Sequence, residues 1–127
     1  MGKAKILIVD DHVETRLLLR ARLQANDFEA VFAADSLQAL SSAQRERPAA
    51  IILDLNMPGG NGFTVMQRLQ ALPPLACIPI IIVSSEDPQV AEARALEAGA
   101  VAFLQKPVDQ GQLIATLRKA LGEPSEA

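Results

Sequence analysis

Tryptophan and tyrosine are absent, and four phenylalanines are the only aromatic residues. No native tryptophan signal can therefore report a bound ion. Cysteine is nearly absent too. Cys77 stands alone, so no intramolecular disulfide can form, which suits a reducing compartment. Just ahead of an apolar run, it is expected to be a small buried hydrophobe. No stretch approaches the ~20 apolar residues that span a bilayer. Met1-Gly2-Lys3 leads into a strand without a signal-peptide pattern. The expectation is a cytoplasmic protein with no membrane contact. A positive excess is missing as well. The net charge is −3 and the pI about 5.1, which argues against direct nucleic-acid or anionic-membrane binding. Internal repeats and low-complexity segments are also lacking.

What is present is ordinary globular composition: 127 residues, 50% hydrophobic and 21% charged, enough for one domain with a real core. The most informative stretch is Ala49 to Gly62. Ala50, Ile51, Ile52 and Leu53 run without polar alternation, as in a strand buried on both faces. Asp54 sits where that run stops, and Pro58, Gly59, Gly60, Asn61 and Gly62 mark a sharp loop. Asp54 is thus a carboxylate at the carboxyl end of a buried strand, where open α/β sheets bind ligands. The plain alternative is a turn aspartate.

The rest of the chain supplies the context. Lys5 to Val9 predicts a strand ending at Asp10-Asp11. A helix follows with Leu17, Leu18, Leu19 and Leu23 as its apolar stripe. Phe28 to Ala33 predicts a second strand. Asp35 or Ser36 caps a second helix carrying Leu37, Leu40 and Ala43, and Pro48 stops it. Gly62 to Leu72 predicts a third helix with Val65, Met66 and Leu69 inward. Ile78 to Val83 predicts a fourth strand, ending at Ser84. Asp87 caps and Pro88 begins a helix through Glu97, closed by Gly99. Ala102 to Gln105 predicts a short fifth strand. Asp109 caps a last helix with Leu113, Ile114, Leu117 and Leu121 on one stripe, and Arg118 and Lys119 suit its dipole. Five alternating strand–helix units with short connections require a parallel sheet with right-handed crossovers and helices on both faces. The fold class is a doubly wound α/β domain with a crevice where the strand order reverses.

Strand polarity alone gathers the chemistry. Asp10, Asp11, Asp54, Ser84 and Lys106 all follow or end strands, so they share one sheet edge. Three neighbouring carboxylates repel. A hard divalent cation together with Lys106 balances them, and Mg²⁺ suits oxygen ligands completed by phosphate. Such a site could receive a phosphoryl group on an aspartate nucleophile, with the cation and Lys106 steadying the transferring oxygens and Ser84 donating to the product. Capping of the first helix by Asp10-Asp11 is the simpler reading. Two acids directly after a buried strand exceed what capping needs.

The motifs I-L-I-V-D-D at 6–11, D-L-N-M-P-G-G-N-G at 54–62, P-I-I-I-V-S at 79–84 and G-A-V-A-F-L-Q-K-P-V at 99–108 occur in order. On these the chain resembles the receiver domain of two-component response regulators over about residues 4–121. The resemblance implies a flavodoxin-like five-stranded sheet in order 2-1-3-4-5, with the receiver domain at 1–121 and a tail at 122–127. It implies Asp54 as phospho-acceptor. Mg²⁺ would be held by Asp10, Asp11, Asp54 and the backbone carbonyl of Asn56. Lys106 would pair with phosphoryl oxygens, Ser84 would be the switch hydroxyl and Phe103 the switch aromatic. Pro107 resembles a proline that is cis in the family, and Gly62 the turn glycine before the third helix. Ser85, Val101-Ala102 and Val108 depart from the commoner residues without touching the phosphorylation chemistry. Asn56 and Glu86 resemble the chemotaxis-type pattern, which implies a short-lived phosphate.

The implied partners are a histidine kinase or phosphotransfer protein and a downstream protein target. The output face would be formed by the fourth helix, fifth strand and fifth helix. A phosphorylation-dependent homodimer through Ala91, Ala95, Ala98 and Val101 is a further expectation. His12 is expected to be exposed at the rim of the metal site, and not a phosphorelay histidine. The chain is expected to be a signalling module, an enzyme only in catalysing its own phosphorylation and dephosphorylation. Two alternatives stand beside it. A degenerate receiver would act as a phosphate-independent interaction domain. A haloacid-dehalogenase-type phosphohydrolase would need D-x-D after its first strand, whereas Asn56 follows Asp54 by two on the third.

Overall fold

A computed structural model describes residues 3–55 and 62–122. Five strands alternate with five helices: β1 (Ala4–Val9), α1 (Val13–Ala25), β2 (Phe28–Ala33), α2 (Ser36–Glu46), β3 (Ala50–Asp54), α3 (Gly62–Ala71), β4 (Ile80–Ser84), α4 (Pro88–Glu97), β5 (Ala102–Gln105) and α5 (Gln110–Ala120). All neighbouring strands pair in parallel, in the order β2-β1-β3-β4-β5. The sequence places this order's reversal between β1 and β3: the chain moves outward from β1 to β2, then returns to the other side of β1. Asp10 and Asp54 therefore flank the crevice at the switch point.

Alternation along the central strands splits the core in two. Leu7, Val9, Ile51, Leu53, Ile80 and Ile82 face α2, α3 and α4, meeting Ala39, Ala43, Val65, Met66, Leu69, Ala91 and Ala95. Ile6, Ile8, Ile52, Ile81 and Val83 face α1 and α5, meeting Leu19, Leu23, Leu113, Ile114 and Leu117. Each such Leu or Ile contributes roughly 1.5–3 kcal/mol by leaving water. The predicted caps form: Asp35, Asp87 and Asp109 accept the backbone N–H of Gln38, Gln89 and Gln112. Gly62 opens α3 against the backbone after β3. A Cβ there would stand 2.9 Å from the Leu55 Cα, so only glycine permits that approach.

Several expectations are corrected. Leu17 and Leu18 are exposed, because three consecutive leucines cannot share one helical face and Leu19 with Leu23 takes the inward one. Leu37 is exposed in the first turn of α2. Residues 72–78 form turns, with Leu75 donating to the Leu72 carbonyl and Ile78 to that of Leu75, so β4 begins at Ile80. Leu75 is the residue this turn buries, and Cys77 is exposed. Ala91 and Ala95 are buried against the sheet and offer nothing to a partner. Pro48 follows α2, but Arg47 ends it in a left-handed conformation. No helix among the described residues is long and apolar enough to cross a membrane.

Candidate functional site

Among the described residues the buried polar or charged side chains are Asp10, Ser42, Asp54 and Ser84. Three of the four lie on the carboxyl edge of the sheet. Burying a carboxylate is unfavourable unless it is paired, so their clustering marks this edge as built for chemistry.

Each is set by a strand. The Asp10 N–H donates to the Ala33 carbonyl, continuing the β1–β2 ladder past Val9. Asp54 is the last residue of β3 and lies opposite Val83. Ser84 ends β4, and its carbonyl accepts the Lys106 N–H at 2.8 Å. That bond anchors Lys106 at the sheet edge, and the Lys106–Pro107 peptide beyond it is cis. Its ammonium bridges the crevice, 3.1 Å from Asp10 Oδ2 and 3.2 Å from Asp54 Oδ2. Burial pulls the Lys106 pKa down, but the hydrogen bond to Asp10 and the Asp54 charge outweigh it, and the net direction is up.

The other Asp10 oxygen accepts the His12 backbone N–H at 2.8 Å. His12 occupies the N-cap position of α1 and makes no side-chain cap bond, so neither aspartate serves as the N-cap residue. The His12 ring lies at the site: Nδ1 is 3.1 Å from Asp10 Oδ1 and 3.2 Å from Asp11 Oδ1. Arg16 donates to the Asp10 carbonyl at 2.9 Å. One ligand atom from each of Asp10, Asp11, His12 and Asp54 falls within 4.8 Å of the others. Three carboxylates gather around the Lys106 ammonium, with the Arg16 guanidinium on the Asp10 backbone. Asp11 Oδ1 is buried without a hydrogen-bond partner. An orphaned oxygen amid surplus negative charge fits a hard divalent cation.

The structure thus brings together Asp10, Asp11, Asp54 and Lys106. Ser84 lies on the same edge, fully buried, its Oγ accepting the Glu86 N–H at 3.0 Å. Phe103 is buried in the core face shared with α4. Asn56 lies outside the described residues. Sequence reasoning placed His12 at the rim but missed its contacts with both acids. It missed Arg16 altogether. Position directly after Asp10-Asp11 was the available signal for His12.

A family model for the response regulator receiver domain matches residues 6–118. The chain belongs to that family. The receiver domain is 40% identical over 115 residues to the response regulator PleD of Caulobacter vibrioides, covering 91% of this chain but 25% of PleD. Across several of its curated relatives, this receiver spans a quarter to about half of their length. It is 32% identical to protein PilH of Pseudomonas aeruginosa, covering 93% of this chain and 98% of PilH. Its fold is similar to the receiver domain of the sensor histidine kinase PA1611 from Pseudomonas aeruginosa, solved with a magnesium ion coordinated in the active-site cleft. The TM-score is 0.87 at 28% identity, covering 97% of this chain and 100% of that one. Receiver domains are modules of two-component signalling, and this chain is one.

Proposed function

We propose that this receiver takes a phosphoryl group from a histidine kinase or phosphotransfer protein onto Asp54 and relays that state to a protein partner. One observation carries the reading: a buried aspartate at the carboxyl edge, with a lysine ammonium 3.2 Å away and two further carboxylates beside it. An Asp54 oxygen forms the new bond to phosphorus while the phosphorus–nitrogen bond of the donor imidazole breaks, and the imidazole leaves with the bonding pair. Lys106 is placed to shift from the Asp54 carboxylate to the phosphoryl oxygens. Ser84, buried at the end of β4, is the hydroxyl suited to bind the product, with Phe103 behind it as the aromatic that follows. Asp10, Asp11, Asp54 and the Asn56 carbonyl would hold Mg²⁺, which when bound neutralises charge on the transferring oxygens. The same residues serve hydrolysis of the acyl phosphate.

Two surfaces suit the partners. Val13, Leu17 and Leu18 of α1 are exposed beside the site, an apolar approach for the phosphodonor. Val90 and Leu96 of α4 and Val101 before β5 are exposed on the opposite flank, the face for output and for any phosphorylation-dependent homodimer. Leu18→Glu should slow transfer from a kinase and leave acetyl phosphate labelling unchanged. Borohydride reduction of the phosphorylated protein, followed by peptide mass spectrometry, tests the acceptor. Homoserine at position 54 is the expected product. Reduction at another aspartate would overturn the assignment. A phosphate decaying within minutes fits Glu86 at the rim, whereas persistence for many hours would sink the chemotaxis-type reading.

A further inference from the structure

His12 is the one histidine of the chain, and its ring nitrogen already stands among the acids. We propose that the His12 imidazole turns the acidic pocket into a three-carboxylate, one-nitrogen site that takes a borderline transition ion, Zn²⁺ above all, more tightly than Mg²⁺. The inference rests on the reading of this pocket as a divalent-cation site.

Two donor atoms bound to one ion at about 2.0–2.2 Å each stand about 3 Å apart. His12 Nδ1 lies 3.1 Å from Asp10 Oδ1 and 3.2 Å from Asp11 Oδ1, which is that spacing. The backbone of His12 is held by its N–H bond to Asp10 Oδ1, and its side chain caps nothing. The ring Nδ1 is hydrogen-bonded to Asp10 Oδ1 at 3.1 Å, so an ion taken there replaces a contact that lies inside the pocket itself. The same Asp11 Oδ1 that stands 3.2 Å from the ring is buried and makes no hydrogen bond, which leaves it a ready ligand. Imidazole discriminates between the ions. It suits Zn²⁺ and its neighbours, while Mg²⁺ prefers oxygen ligands and retained water. His12 should thus strengthen one ion and leave the other indifferent.

The test uses tag-free protein in a Cys77→Ser background, because the exposed Cys77 thiol would itself bind Zn²⁺. Calorimetric titrations with Zn²⁺ alone and Mg²⁺ alone are compared for the parent and for His12→Ala. In parallel, the imidazole resonances of the single histidine are followed by NMR. The expected result is a His12 shift complete at one equivalent of Zn²⁺, with Zn²⁺ affinity falling about tenfold or more in His12→Ala and Mg²⁺ affinity unchanged. Mg²⁺ binding with an unperturbed ring, or equal weakening of both ions, would overturn the His12 role and leave the acidic pocket standing. Failure of both ions to bind would overturn the pocket reading and this inference together. The ring resonances of the parent decide the matter even if His12→Ala folds poorly.

Discussion

Two ion clusters sit at opposite ends of the same strands. At the amino end, Lys5 of β1 donates to Glu46 of α2 at 2.9 Å, and Arg45 adds a second contact at 3.0 Å. Two cations meet one carboxylate at a half-buried edge. At the carboxyl end, Lys106 meets Asp10 and Asp54 with Asp11 close by. One cation meets two buried carboxylates, and a third, that of Asp11, stands close by. The pair distances are nearly alike, yet the charge balance is opposite. The first cluster is complete in itself and fastens α2 to β1. The second gathers more negative than positive charge, which under the proposed function a cation and a transferred phosphoryl group would meet. The imbalance is the physical difference between the two ends.

The largest effect should follow from worsening it. Lys106→Met leaves three mutually repelling carboxylates and should cost about 3 kcal/mol, as breaking a buried pair does. Urea unfolding checks this, and Mg²⁺ should restore part of the loss. Next, Asp54→Asn should stabilise the metal-free protein by roughly 1–2 kcal/mol. Each acid in the cluster feels a net negative surround, so removing one relieves repulsion. A loss of stability there would break the comparison. Third, Mg²⁺ should raise the melting temperature of the wild type through linkage, and Asp11→Asn should blunt that rise. Smallest of all, Lys5→Met should slightly lower the melting temperature and leave both the Mg²⁺ response and phosphorylation unchanged.

Both ends hold a lysine with a raised pKa, Lys5 chiefly through its hydrogen bond to Glu46, and they part in acid, where only the amino end holds a carboxylate with a lowered pKa. The Lys106 pKa is raised, so its contribution to stability is full below about 10.4, the usual lysine value, and is lost as pH climbs through the higher folded value. The Glu46 pKa is lowered, chiefly by its hydrogen bond to Lys5. Its contribution is present above about 4.3 and is lost as pH falls through the folded value. Thermal melts across alkaline pH should show a larger loss in the wild type than in Lys106→Met, which keeps only what Lys5 contributes.

The fold was largely legible because the central strands β1, β3 and β4 are rich in consecutive Ile, Leu and Val, and α2, α4 and α5 carry aspartate caps. Parallel topology then put Asp10, Asp54, Ser84 and Lys106 on one edge before any contact was known. What could not be read was direction within an element. Leu17 and Leu18 looked inward until Leu19 and Leu23 took the face, and Ala91 and Ala95 looked available until they proved buried. Cys77 precedes an apolar run that begins at Ile78, but β4 starts only at Ile80, so Cys77 stands exposed in the turn before it. The ring of His12 turns toward the acids through a rotamer, which no spacing rule encodes.

The most direct measurement is the intact mass of the wild type and of Asp54→Asn after incubation with acetyl phosphate, with and without Mg²⁺. The account predicts a gain of one phosphoryl group only in the wild type and only with Mg²⁺. A gain in Asp54→Asn, or one indifferent to Mg²⁺, would contradict it.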